Sequence, residues 1–138
     1  MSTRSDTQSG HSARIFIKRA YEEPKPGDGT RVLVDRLWPR GVRKDGAHID
    51  LWLKDIAPSA ELRRWFNHDP ERWAEFQRKY REELSSNESS FDELLSLAGD
   101  GPITLVFGAK DTEHNNAVVL QSILKKRVTS RKPAKGRH

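Results

Sequence analysis

Two segments of the sequence place polar residues directly after apolar runs. Residues 34–41 read VDRLWPRG, and residues 107–116 read FGAKDTEHNN. Each continues a run that predicts a buried strand, and open α/β sheets bind their ligands in crevices at the carboxyl ends of such strands. We therefore expect a functional site in a crevice that both segments line.

The second segment has the composition of an anion site. Gly108 leaves the strand and a helix follows, so that free backbone N–H groups and the positive helix end would face the crevice beside Lys110. The spacing is neither that of a Walker loop nor G-x-G-x-x-G, and it predicts a phosphate or carboxylate without further specificity. The alternative is that Asp111 or Thr112 only caps the helix and that Lys110 is solvated.

The same segment offers groups for proton transfer. His114 could act as general acid or base together with Asp35 and Asp111, while Asn115 could hold a polar ligand. A structural or solvated His114 is the alternative. A metal site of His114, Asp111 and Asp35 would lack a short ligand spacing such as H-E-x-x-H, so we predict no metal, and the sequence identifies no cofactor.

The first segment combines arginines with a tryptophan. Arg36 and Arg40 flank Trp38; an arginine can bind phosphate or carboxylate with a bidentate fork, and a tryptophan can stack on a base or sugar. Equally, Asp35 could pair with an arginine while Trp38 covers the core. The sequence leaves both interpretations open.

The candidate residues fall into three groups. The candidate catalytic residues are Asp35, Asp111 and His114. The candidate ligand-binding residues are Arg36, Trp38, Arg40, Gly108, Lys110, Thr112 and Asn115. On the helical stretch between the two segments, Trp65 and Trp73 have the spacing of core residues, whereas Arg64 and His68, together with the neighbouring Arg63, are secondary candidates for the same crevice.

The elements that must position these residues make a small α/β domain. Apolar runs predict strands at residues 15–19, 32–37 and 103–107. Ser59 and Asp69-Pro70 begin two helices, a capping box at residues 90–93 begins a third, and a fourth covers residues 114–128.

The long separation of the second and third strands favours a mainly parallel sheet of few strands, with helices packed on it in three layers. Residues 22–30 and 38–49 are predicted loops. The first two strands could pair as a hairpin or lie apart, and the sequence does not predict the strand order.

The positive charge of the chain is concentrated at its C-terminus. The chain has 138 residues, the size of one domain, and a formal net charge of +5. Residues 125–138 hold seven Lys and Arg and no acid, whereas the expected domain, residues 15–124, holds 16 basic and 19 acidic residues. The basic tail could bind nucleic acid or a partner protein, or it could be a solubilising end. Residues 1–14 and 129–138 are predicted to be disordered.

The absence of Cys excludes a disulfide framework, a thiolate zinc site, an iron–sulfur cluster and a Cys nucleophile. No apolar run approaches the roughly 20 residues of a membrane span, and the N-terminus lacks the apolar core of a signal peptide. We therefore expect a cytoplasmic protein with no membrane partner. The oligomeric state is not predicted.

Three blocks of the sequence resemble the bacterial YeaO-like family, a branch of domain-of-unknown-function family 488. They are residues 34–41, 55–84 and 103–120, and the resemblance runs from about Ile15 to Leu124. It implies a single small α/β domain in the cytoplasm and no assigned reaction. Another branch of that family has a Cys-containing motif at the strand end that corresponds to residues 107–115. This chain has His114-Asn115 in that region and no Cys, so thiol chemistry does not carry over.

The predicted function is the binding of an anionic or nucleotide-like small molecule at the carboxyl ends of the strands, with no reaction assigned. The alternative is a nucleic-acid-associated or partner-binding module that uses the basic C-terminal tail. A helix-turn-helix regulator does not fit, because the helices occur within an α/β order.

Overall fold

A four-stranded parallel sheet forms the centre of the structure. The computed structural model describes the backbone of residues 14–136 and the side chains of residues 14–128. The strands are β1 (Ile15–Arg19), β2 (Thr30–Leu33), β3 (Leu51–Trp52) and β4 (Ile103–Phe107). Their order is β1-β4-β2-β3, with every pairing parallel. The predicted parallel sheet is confirmed, and the first two strands do not form a hairpin because β4 lies between them.

Strand β2 ends before the predicted boundary of residue 37. The Val34 N–H still donates to the Val106 carbonyl at 3.0 Å. The Gly108 N–H, however, donates to Oδ2 of Asp35 at 2.8 Å. Because a side-chain oxygen takes the place of a strand carbonyl, the ladder stops and Asp35 begins a loop. The two residues of β3 were not predicted, since so short a strand shows no alternation.

The described part of the chain contains five α-helices. They are α1 (Lys44–Ala47), α2 (Ala60–Phe66), α3 (Trp73–Ser85), α4 (Glu88–Asp100) and α5 (Asn116–Gly136). Single 3-10 turns occupy Pro26–Asp28, Lys54–Ile56 and Pro70–Arg72. None of the described helices combines the length and the apolar character needed to cross a membrane.

Side-chain caps begin two of the helical segments as the sequence predicts. The Leu62 N–H donates to Oγ of Ser59 at the start of α2, at 3.0 Å. The Glu71 N–H donates to Asp69, also at 3.0 Å, in the turn that leads into α3. These caps satisfy backbone donors that would otherwise have no partner within the helix.

The predicted start of α4 was wrong. The helix begins at Glu88, upstream of the predicted capping box at residues 90–93. The Phe91 N–H donates to the Asn87 carbonyl at 3.3 Å, so that helical hydrogen bonding already begins at Asn87.

The last helix is longer than predicted at its C-terminal end. It begins at Asn116 and continues to Gly136, past the predicted end at Val128. Lys, Arg and Ala, which make up much of residues 125–135, favour helix. Residues 1–13 and 137–138 of the predicted disordered tails, and the basic side chains after Val128, lie outside the described residues.

The two faces of β4 belong to different apolar clusters. Ile103, Leu105 and Phe107 face the main core, which also contains apolar residues of α2 to α5. Val106 faces the opposite side and packs with Leu33 in a smaller cluster. The third layer of this small α/β domain is therefore thin, and it consists mainly of the loops around α1.

Two tryptophans cover the second face of the sheet. The rings of Trp38 and Trp52 meet edge to face, with 5.5 Å between their centroids. Nε1 of Trp38 donates to the Val42 carbonyl at 2.7 Å, and Nε1 of Trp52 donates to the Asp35 carbonyl at 2.8 Å. Trp38 thus covers the core, as in the second of its two interpretations.

A buried ion-pair cluster fastens the Pro26–Asp28 turn to this face. Asp28 is 6% exposed and Arg31 is 3% exposed. Nη1 of Arg31 lies 2.6 Å from Asp28, and Nζ of Lys18 lies 2.9 Å from it. Burial raises the pKa of Asp28, but the hydrogen bonds from Lys18, Lys25 and Arg31 outweigh that effect and hold the pKa below its usual value.

Candidate functional site

A cavity of about 440 Å³ opens where β2 and β4 end. Its walls are the loop after β2, the loop after β4 and the C-terminal end of α2. The two candidate segments meet here because their strands are neighbours in the sheet, and the Gly108 N–H joins them through Oδ2 of Asp35 at 2.8 Å. The ionisable residues that line the cavity are Asp35, Arg36, Arg63, Arg64, His68 and His114.

Asp35 is the one carboxylate among the described residues that line the pocket. Burial raises the pKa of Asp35, because the loss of water outweighs the hydrogen bonds from Gly108 and Asn116 and the positive charge of Arg63. The Asn116 amide also donates to the Val34 carbonyl at 2.9 Å, which fixes this side chain between the two strand ends. An ionisable group held where its charge is disfavoured is a candidate functional group.

Three arginine side chains line the same pocket and make no hydrogen bond or ion pair within the described part of the chain. Arg36 is half-buried, and its Nε is buried without a hydrogen-bond partner there. Arg63 and Arg64 are exposed at the rim. By contrast, Arg31 on the other face of the sheet donates to both Asp28 and Ala47. An unpaired buried donor costs about 1–3 kcal/mol, so the pocket offers guanidinium groups to an acceptor from outside.

Apolar side chains form the rest of the pocket wall. The rings of Phe66 and Phe76 stack with 4.4 Å between centroids, and both residues are buried. Ala57 and Pro58 lie beside them in the lining. Leu37, which also lines the cavity, is 67% exposed. Such a wall suits a flat ring as well as a small anion.

The end of α2 contributes a strained turn to the rim. Asn67 and His68 have φ values of 49° and 53°, so that two consecutive residues other than glycine adopt the left-handed conformation. This turn places both side chains in the pocket lining. Backbone strain of this kind is concentrated at functional sites, although a turn between helices also requires it.

Asp111 positions His114 at the pocket wall. One carboxylate oxygen of Asp111 accepts the N–H groups of Glu113 and His114 at 2.9 and 3.0 Å, and the other lies 2.9 Å from Nδ1 of His114. The hydrogen bond from the Glu113 N–H, followed by those from His114, holds the pKa of Asp111 below its usual value. The rings of His114 and Trp73 meet edge to face, with 5.1 Å between their centroids. Asp111 and Trp73 together fix the orientation of the His114 ring.

Asn115 acts as the N-cap of α5. Its Oδ1 accepts the Val118 N–H at 3.0 Å, and its Nδ2 donates to the Asp111 carbonyl at 2.8 Å. The residue is 4% exposed, yet it contributes to the pocket lining. The sequence named Asp111 or Thr112 as the possible cap of this helix, but the cap is Asn115, and Asp111 accepts the Glu113 and His114 N–H groups in the turn before the helix.

Comparison with known proteins places the chain in a family. A family model described as the inactive DUF488-N3 subclade matches residues 14–137. The chain belongs to the inactive DUF488-N3 subclade. An uncharacterised protein of Mycobacterium tuberculosis is 44% identical over 111 residues, which cover 80% of this chain and 93% of that protein. The uncharacterised protein YeaO of Escherichia coli is 42% identical over 111 residues, covering 80% of this chain and 96% of YeaO.

The YeaO-like resemblance is therefore confirmed. No solved structure matches this DUF488-N3 chain.

Several sequence candidates of this DUF488-N3 chain lie outside the pocket lining. Trp38 belongs to the opposite face of the sheet. Arg40 is exposed, and its carbonyl accepts the Tyr21 hydroxyl at 2.8 Å. Lys110 and Thr112 are exposed and do not line the cavity.

Other lining residues were not among the candidates. Among them are Phe66, Asn67 and Phe76. Arg63, by contrast, lines the pocket beside Arg64, as the sequence suggested. The aromatic rings have the helical spacing of ordinary core residues, which hides a pocket wall from the sequence.

Proposed function

We propose that this chain binds a small anionic, nucleotide-like molecule in the pocket at the ends of β2 and β4, without turning it over. The observation that carries the proposal is the buried Nε of Arg36, which has no hydrogen-bond partner among the described residues. A phosphate or carboxylate oxygen of a ligand would accept from this group. Hydrogen bonds to a charged group contribute about 1.5–3 kcal/mol each, more than those between neutral groups.

The rim supports the same ligand class. Arg63 and Arg64 are exposed and line the cavity, and a guanidinium matches the oxygens of a phosphate or carboxylate with a planar fork. Residues 15–124 hold 16 basic and 19 acidic residues, so a general attraction for anions is not expected of the domain. The attraction would be local to the pocket.

Binding without turnover fits the state of the candidate catalytic groups. Both oxygens of the catalytic candidate Asp111 are engaged with Glu113 and His114, and the ligand-binding candidate Asn115 is engaged as a helix cap. These side chains serve the local structure. The description of the subclade as inactive also supports binding without a reaction.

Isothermal titration calorimetry tests the proposal with inorganic phosphate, ribose 5-phosphate and the nucleoside monophosphates as ligands. Arg36→Gln should weaken binding about tenfold or more, since tenfold corresponds to about 1.4 kcal/mol. Arg40→Gln is the matched control, because Arg40 is an exposed arginine of the same loop outside the pocket lining. Its affinity should equal that of the wild type.

The proposal fails if none of these ligands binds, or if Arg36→Gln and Arg40→Gln bind as the wild type does. Chromatography of the ligand after prolonged incubation with the protein tests whether the ligand is bound without turnover. Recovery of the intact ligand is expected, and conversion to a product would contradict binding without turnover.

A further inference from the structure

The pocket holds opposite charges that do not pair with each other. Asp35 shares the lining with Arg36, Arg63 and Arg64, yet no ion pair joins it to an arginine among the described residues. The buried carboxylate of Asp28, by contrast, forms ion pairs with Lys18 at 2.9 Å and with Arg31 at 2.6 Å. Asp35 accepts hydrogen bonds from Gly108 and Asn116 and retains further acceptor capacity, since a carboxylate offers about four lone-pair sites.

The structural role of Asp35 does not require a charge. The bond from the Gly108 N–H to Oδ2 joins the ends of β2 and β4, and the amide oxygen of an asparagine would accept it equally well. The carboxylate instead sits where burial opposes ionisation. A carboxyl group held where its charge is disfavoured, beside an open cavity, points to a partner that the chain itself does not supply.

The ionisable side chains of the pocket lie at two depths. Asp35 and Arg36 are half-buried and line the pocket together with the apolar Phe66 and Phe76, whereas Arg63 and Arg64 are exposed at the mouth. A ligand that carries both an anionic group and a flat ring can contact the arginines and Asp35 together. The ring must present N–H donors, because an ionised carboxylate only accepts hydrogen bonds.

We propose that the pocket selects a guanine nucleotide, with Asp35 accepting the N1–H and 2-amino groups of the base while the arginines bind the phosphate. This inference rests on the proposed function, because it identifies the second end of the same ligand. Guanine presents two adjacent N–H donors on one edge. Adenine and cytosine each place a ring acceptor beside their amino group, and this acceptor would face the carboxylate unfavourably.

Titration of the full-length chain with a matched pair of ligands tests the assignment. Guanosine 5′-monophosphate and inosine 5′-monophosphate differ by the 2-amino group alone. The wild type should bind the guanosine compound about tenfold or more tightly, because a site built for an N–H donor rejects the analogue that lacks it. Adenosine 5′-monophosphate should bind more weakly than the guanosine compound.

Asp35→Asn is the matched variant, since it retains the acceptor for Gly108. It should abolish the preference for guanosine over inosine 5′-monophosphate, while ribose 5-phosphate should still bind. If the variant does not fold, the wild-type comparison of the two nucleotides still decides. A preference that persists in Asp35→Asn overturns the assignment.

The two proposals fail in different ways. If ribose 5-phosphate and all of the nucleotides bind with equal affinity, the guanine assignment is wrong and the anion site stands. If adenosine 5′-monophosphate binds more tightly than the guanosine compound, the assignment is also wrong. If no phosphate compound binds, both proposals fall.

Discussion

Removal of the Asp28 charge should destabilise the domain more than removal of any exposed carboxylate. Asp28→Asn leaves Arg31 charged at 3% exposure, with the carboxylate that lay 2.6 Å away replaced by a neutral amide. Breaking a buried ion pair by removing one partner costs about 3–5 kcal/mol. At roughly 4 °C per kcal/mol for a domain of this size, Tm should fall by roughly 12–20 °C.

Thermal and urea unfolding followed by circular dichroism measure this loss. Asp45→Asn is the control, because Arg43 and Asp45 form an exposed pair at 3.3 Å and such pairs contribute about 0–1 kcal/mol. The double variant Asp28→Leu/Arg31→Met removes both charges and should be more stable than Asp28→Asn, since no uncompensated charge remains at position 31.

The pH dependence of Asp28→Asn provides a second check. The folded pKa of Asp28 is lowered, so its contribution is present above the unfolded value of 3.8 and is lost as the pH falls through the folded pKa. Wild type and Asp28→Asn should therefore converge in stability at acidic pH. A loss below about 1 kcal/mol at neutral pH, or a double variant no more stable than the single one, would refute the reasoning.

Two further predictions concern Asp35 and the tail. Because burial raises the pKa of Asp35, wild-type stability should fall as the pH rises from the unfolded value of 3.8 through the raised folded pKa. Asp35→Asn should therefore gain stability relative to wild type over that pH range, and parallel Tm profiles of the two proteins would contradict this. If the basic tail binds nucleic acid, deletion of residues 129–138, which hold four Lys and Arg, should weaken binding to single-stranded DNA and reduce the salt dependence of that binding. Fluorescence anisotropy measures both effects. Unchanged binding by the shortened chain would assign any affinity to another surface.

The meeting of the two candidate segments could be predicted from the sequence. Both follow apolar runs, and carboxyl ends of parallel strands share one edge of a sheet. The position of β4 between β1 and β2 could not be predicted, because the pairing of Ile15 with Ile103 leaves no local trace. Without the strand order, Asp35 and Gly108 could be placed at the same edge but not in contact.

The third wall of the pocket depends on backbone conformation rather than on residue type. Asn67 and His68 lie at the rim because both adopt the left-handed conformation, and their sequence fits an ordinary turn between helices equally well. Trp38 illustrates the opposite case. Its neighbours Arg36 and Arg40 suggested a binding loop, but the direction of its ring is set by packing on Trp52, a residue of a strand too short to predict.

The central position of β4 also determines when this chain can fold. Strands β1 and β2 each pair with β4, while β2 and β3 share only two residue pairs. A growing chain therefore has almost no sheet until residue 107 has been synthesised and released from the ribosomal tunnel. Pairing across such distances must close long loops before any contact is gained, and it makes folding slow compared with helical domains of similar size. Until that point β1 has no partner strand and β2 pairs only with the two residues of β3, and exposed strand edges of this kind are prone to aggregation.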